Sequence, residues 1–345
     1  MSAGAERHPG ARAGSGHTLL LSKGFVADFG ERLHAAAREA GIEARIVHLP
    51  DDASALAPAQ CAQIEIAYLT RDIRFSELYK SFGDAVKAAP RLKWVHFVST
   101  GIDQHPFLPA LLERRVRLTT SAGTNGEPVG QTAIGGLLML ARNFPKWLDA
   151  QRRHAWEPIR GKSVPRDLRG QTVAVVGLGT IGGTVAKFCQ ALQMHVIGFR
   201  RSPRQAADPV DEMHTLPELP AVLPRCDWVV LACPYTKETH HLLNADTLAR
   251  LPRGARVINV ARGACIDEPA LIDALGRGHL GGAYLDVFAK EPLPPESPLW
   301  DLPNVIVSPH NASASSGNDA RAAEVFTANL VRFARGDTML NEQLA

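Results

Sequence analysis

One short stretch limits this chain more than any other. Thr172-Val-Ala-Val-Val176 has the branched, apolar make-up of a buried strand, and it runs without a break into Gly177-Leu-Gly179-Thr-Ile-Gly182. A helical pattern follows over residues 184–192. Closely spaced glycines punctuate many loops, but a strand before them and a helix after them give the spacing a meaning. Gly177 then permits the tight turn, Gly179 lets backbone approach a diphosphate, and Gly182 lets the helix pack close against the sheet. Thr180 and Ile181, inside this turn, are further cofactor-binding candidates, and the N-terminus of the helix that follows turns its partial positive charge toward the phosphates. The competing reading is a strand-to-helix turn with a structural role only.

A dinucleotide fold usually carries an acid about 20 residues further on, where it meets the ribose hydroxyls. Here the next strand, residues 195–199, ends in Arg200-Arg201-Ser202, with no carboxylate at that spot. An acid would repel a 2′-phosphate, whereas guanidiniums clamp it. The expected cofactor is therefore NADP in preference to NAD, unless both arginines are merely solvated charges.

The alternation continues on both sides. Residues 17–21, 45–49, 64–69 and 94–98 read as strands, with helices at 31–40 and 75–89 between them. Further strands read at 228–232, 256–260, 282–287 and 304–307, with helices at 244–250 and 269–275. An apolar helix is expected at 128–142, a polar connection at 151–169 and a closing helix at 321–334. Strands and helices in turn mean parallel α/β layers, and 345 residues suffice for roughly two domains of ~150.

Charge narrows the partners. Lys plus Arg (38) nearly balance Asp plus Glu (35), a net +3. That argues against nucleic acid and against a polybasic membrane anchor. No apolar run approaches the ~20 residues of a membrane helix. Five scattered cysteines, Cys61, Cys189, Cys226, Cys233 and Cys265, fit buried thiols of a reducing compartment better than disulfides or a metal site. The first residues lack the apolar core of a signal peptide, so the expected home is the cytoplasm.

Three later segments each end a strand with a reactive side chain. Val257-Ile-Asn-Val-Ala-Arg262 ends with a guanidinium, Leu285-Asp-Val-Phe-Ala-Lys-Glu291 with a carboxylate, and Val305-Ile-Val-Ser-Pro-His310 with an imidazole. The carboxyl edge of an open α/β sheet is where ligands bind. Such a set suits reduction of a 2-keto acid: the arginine binds the carboxylate and polarises the ketone, the histidine gives the proton, and the glutamate pairs with the imidazolium.

From about residue 125 to 310 the chain resembles the D-isomer-specific 2-hydroxyacid dehydrogenase family. The likeness rests on several motifs in order: Val176-Gly-Leu-Gly-Thr-Ile-Gly182, Asn259-Val-Ala-Arg-Gly263, Leu285-Asp-Val-Phe288 with Glu291-Pro292, and Ser297-Pro-Leu-Trp300 leading to Ser308-Pro-His310. It implies that Arg262, Glu291 and His310 are catalytic, with His310 the proton donor. It also implies that Asp286 sits near the nicotinamide, that Cys233, Pro234, Thr239, Val260 and Ala261 line the cofactor, and that the Ser99, Thr100 and Gly101 segment holds the substrate carboxylate together with Arg262. Two departures, Val129-Gly130-Gln131 and Asn311-Ala-Ser313, bear on substrate identity.

The resemblance implies two Rossmann-like domains with a cleft between them. A cofactor domain spans 122–312, and a discontinuous substrate domain joins 17–121 to 313–345, after an extension over 1–16 without regular structure. A homodimer with helix 128–142 at the contact, and glyoxylate or hydroxypyruvate as substrate, are further expectations. A phosphoglycerate dehydrogenase-like enzyme is the nearest alternative, and a dinucleotide-sensing corepressor or scaffold is the alternative of another class.

Overall fold

The computed structural model describes residues 16–343. Of the expected extension, residues 1–15 lie outside the described residues, and Gly16 already belongs to the first strand. The chain forms two compact units. One takes the chain up to Thr124 and again from Ser316; the other is Asn125–Ser315.

The first unit holds β1 (Gly16–Leu20), β2 (Glu43–Val47), β3 (Ile66–Leu69), β4 (Trp94–Phe97) and β5 (Arg117–Thr120). They run parallel in the order β5-β4-β3-β1-β2. Glu342–Gln343 is added beside β5 and runs antiparallel to it, so this sheet is not wholly parallel. Strands β3 and β4 are buried on both faces, which is why they read as unbroken apolar runs. The helix Asn318–Arg335 returns to cover one face. Its Phe326 stacks on Tyr68 at 4.7 Å and on Trp94 at 5.2 Å between ring centroids, and it packs along the helix Lys23–Ala40.

The polar groups around Thr119 inside this unit are paired. Trp94 Nε1 and His96 Nδ1 both meet Thr119 Oγ1, at 2.8 and 2.7 Å, and His96 Nε2 lies 3.0 Å from Ser121 Oγ. Complete burial drives the His96 imidazole down to about 3, so it stays neutral.

The second unit holds β6 (Thr172–Val176), β7 (His195–Phe199), β8 (Glu212–His214), β9 (Trp228–Leu231), β10 (Arg256–Asn259), β11 (Gly282–Leu285) and β12 (Val305–Val307). All seven are parallel, in the order β8-β7-β6-β9-β10-β11-β12. The order reverses between β6 and β9, the crevice where open α/β sheets take ligands. Two apolar clusters cover the two faces. The helix Gly126–Ala141 lies against the helix Thr180–Ala191. Added Cβ atoms at Gly126 and Gly130 would stand 2.5 Å from Thr180 and 2.6 Å from Thr184, so only glycine allows this approach.

A helix not expected from the sequence, Phe144–Arg152, ends two residues into the polar connection at 151–169. Among the described residues no helix is long and apolar enough to cross a membrane. All five cysteines are buried and free of disulfides.

Candidate active site

The glycine turn sits at the reversal of strand order. Gly177 has φ +91°, and a Cβ there would lie 2.7 Å from the Ala232 carbonyl and from the Cys233 Cα. Its N–H donates to the Phe199 carbonyl at 2.9 Å, which fixes the turn beside the end of β7. A Cβ at Gly182 would come within 1.8 Å of the Gly177 carbonyl oxygen. A Cβ at Gly179 would meet nothing within 4 Å, so the backbone at that point faces open space. An exposed backbone ahead of the twelve-residue helix Thr180–Ala191 is a cradle that fits a dinucleotide diphosphate.

The loop after β9 packs against this turn. Thr239 is buried; its hydroxyl donates to the Pro234 carbonyl at 2.9 Å and accepts from the Thr236 N–H at 2.7 Å. Thr239 therefore closes the Pro234–Thr239 loop. A hydrogen bond between the Cys233 and Cys265 thiols, together with burial, pushes the Cys233 thiol up. The same contact, despite burial, brings the Cys265 thiol down.

Beyond β7 the geometry departs from expectation. The two arginines do not stand as a free pair. Arg200 makes a two-pronged ion pair with Asp208, Nη1 to Oδ1 at 2.9 Å and Nη2 to Oδ2 at 2.7 Å. Arg201 and Ser202 are exposed.

Arg262, Glu291 and His310 follow β10, β11 and β12, neighbouring strands of one sheet. The buried Asn259 side chain ties the first of these loops: its amide donates to the Arg262 carbonyl at 3.0 Å, and its Oδ1 accepts from the Ala261 N–H at 3.0 Å. Arg262 is exposed, and its Nη1 donates to the Ala261 carbonyl at 2.7 Å. Val260 and Ala261 are buried under it. Glu291 accepts the Phe288 N–H on Oε1 at 3.0 Å and meets His310 Nδ1 through Oε2 at 2.7 Å. That leaves Nε2 as the open nitrogen of a half-exposed imidazole.

Asp286, which the resemblance places near the nicotinamide, is tied into the loop after β12. It is 3% exposed, and its Oδ1 accepts from Ser308 Oγ at 2.5 Å and from the Asn311 and Ala312 N–H groups at 2.9 and 3.0 Å. Its own carbonyl accepts the His310 N–H at 2.8 Å. A buried carboxylate with this many donors organises the 308–312 loop, and within that loop His310 is held at φ +51°. Asn259, Ser308 and Asp286 are thus positioning residues. Asn259 and Ser308 stood inside the quoted motifs, yet nothing in the sequence marked them as anchors.

In the first unit, Ser99–Gly101 follows β4 at its carboxyl end, and Ser99 Oγ donates to the Gly101 carbonyl at 2.9 Å. Among the described residues, no group of three or more His, Cys, Asp or Glu side chains is placed to hold a metal.

Known proteins resemble this chain in sequence and in fold. Residues 134–312 match the D-isomer specific 2-hydroxyacid dehydrogenase, NAD binding domain. A glyoxylate reductase of Thermofilum pendens is 32% identical over 260 residues, 74% of this chain and 75% of that protein. A glyoxylate/hydroxypyruvate reductase B of Pectobacterium carotovorum is 33% identical, over 75% of this chain and 81% of its own. Among solved structures, a D-isomer specific 2-hydroxyacid dehydrogenase from Xanthobacter autotrophicus, in complex with NADPH and MES, superposes with a TM-score of 0.70. It is 32% identical and covers 96% of this chain and 98% of its own.

Proposed function

This chain belongs to the D-isomer specific 2-hydroxyacid dehydrogenase family, and we propose that it reduces small 2-keto acids, glyoxylate or hydroxypyruvate, with NADPH. The enzyme class, an NAD(P)-dependent dehydrogenase of 2-hydroxy acids, follows from the family itself. The observation that carries the mechanism is the 2.7 Å pair between Glu291 and His310, one strand away from the Arg262 loop.

A bound reduced nicotinamide supplies the hydride. Arg262 takes the substrate carboxylate and draws charge from the keto group as alkoxide character develops. Glu291 holds the Nδ1 side of His310, which leaves the Nε2 proton to pass to the keto oxygen. Ser99, Thr100 and Gly101 are assigned to the substrate carboxylate. Gly177, Gly179, Thr180, Ile181 and Gly182 are assigned to the diphosphate, with Cys233, Pro234, Thr239, Val260 and Ala261 shaping the cofactor site. In this reading 122–312 is the cofactor domain, and 17–121 with 313–345 is the substrate domain.

NADPH is favoured because no acid ends β7, while Arg201 and Ser202 lie exposed there. A cytoplasmic homodimer completes the proposal. Its support is the exposed apolar set Leu138, Phe144, Trp147 and Leu148, on the helix Gly126–Ala141 and the one that follows it. A panel of 2-keto acids assayed with each cofactor tests the substrate and cofactor together. The expected result is the highest kcat/KM for glyoxylate or hydroxypyruvate, and a higher value with NADPH than with NADH. A wild-type preference for NADH sinks the cofactor assignment.

A further inference from the structure

The end of β7 lacks an acid in sequence, yet the fold brings one there from eight positions downstream. Asp208 reaches back across the loop to Arg200, and the two side chains are only 11% and 18% exposed. Four of the five guanidinium N–H groups are already used. Nε donates to the Ser202 carbonyl at 3.3 Å, Nη2 to the Pro203 carbonyl at 2.6 Å, and Nη1 and Nη2 each to an Asp208 oxygen. The Gln205 N–H donates to Asp208 Oδ2 at 2.6 Å, which ties the carboxylate to the loop from its other side. That backbone bond and Arg200 hold the Asp208 carboxyl below its usual range, so it is ionised at neutral pH.

The Gly177 bond to Phe199 sets this clasp next to the glycine turn. A cofactor whose diphosphate lies on that turn brings its adenosine ribose to the end of β7. We propose that Asp208 sets the discrimination between phosphorylated and unphosphorylated ribose, by occupying the guanidinium face of Arg200 that a 2′-phosphate would need. A carboxylate there repels the phosphate and keeps Arg200 engaged, so it tempers the NADPH preference that Arg201 and Ser202 create. The inference rests on the reading that residues 200–202 meet the ribose.

The test is steady-state kinetics of the full chain with hydroxypyruvate and either cofactor, for wild type, Asp208→Asn and Arg201→Ala. Removing the Asp208 charge is expected to raise the ratio of kcat/KM for NADPH over NADH roughly tenfold, the scale of relieving one close like charge. Asp208→Ser, a second neutral replacement, reads the same ratio if the asparagine variant folds poorly. Asp208→Glu keeps the charge and should keep the wild-type ratio. A parallel fall with both cofactors in the neutral variants, leaving the ratio unchanged, overturns the proposal and makes Asp208 a loop fastener. Arg201→Ala separates the two layers. If it lowers the ratio while the Asp208 variants do not move it, only the Asp208 role fails. If it too leaves the ratio unchanged, the placement of this loop at the ribose fails.

Discussion

Replacing His310 with glutamine is expected to lower kcat by about 10²–10⁴-fold, the range that a positioned general acid contributes. Glutamine can still reach Glu291, but it has no proton to give at the position of Nε2. The 308–312 loop should survive, because Asp286 holds it through the His310, Asn311 and Ala312 backbone and through Ser308 rather than through the imidazole. Cofactor affinity, read by fluorescence titration, should therefore stay close to wild type while turnover collapses. Near-normal kcat would remove His310 from the chemistry.

The second large effect is structural. Gly263 follows Arg262 directly, and a Cβ there would lie 1.9 Å from the Phe288 carbonyl carbon and 2.0 Å from its oxygen. Those are backbone atoms of the loop that carries Glu291, whose carboxylate accepts the Phe288 N–H. No side chain can swing aside, so Gly263→Ala must push the Arg262 and Glu291 loops apart. We expect a loss of about 3 kcal/mol or more, the upper range of overpacking. For a unit of this size that lowers Tm by roughly 6–12 °C. Because both loops move, kcat/KM should fall beyond what residual folded protein explains. A variant with wild-type Tm and kcat/KM would show that the two loops are not locked to each other.

What could be read from the sequence follows the range of the interactions. Strands β6 and β7 were legible to the residue, because apolar runs bounded by a glycine turn and an arginine pair are local signals. The catalytic candidates were legible for the same reason: each ends a strand, and parallel strands end on one edge. Strand β8, Glu-Met-His, was missed because an edge strand of three half-buried residues carries no apolar run. Strand β5, Arg-Leu-Thr-Thr, was missed for want of contrast, as was the helix Phe144–Arg152, whose Pro145 reads as a breaker although it sits in the first turn, where proline is tolerated.

The closer chemistry was hidden by distance along the chain. Asp286 shows in sequence as one acid in a motif. Its carboxylate partners lie 22–26 residues away, and only the packing of β11 beside β12 brings them to it. Arg200 likewise reads as half of a cationic pair until the loop folds Asp208 onto it. In both cases the residue type was visible and its partner was not, and the partner decides the role.

Arg262, Glu291 and His310 together are proposed to serve hydride reduction of a 2-keto acid to the D-hydroxy acid. The most direct measurement incubates the enzyme with hydroxypyruvate and reduced cofactor, follows cofactor oxidation, and resolves the product by chiral chromatography. One reduced cofactor should be consumed for each D-glycerate formed. Formation of the L-isomer, or no oxidation of NADPH or NADH with hydroxypyruvate, glyoxylate or any other 2-keto acid offered, would contradict it.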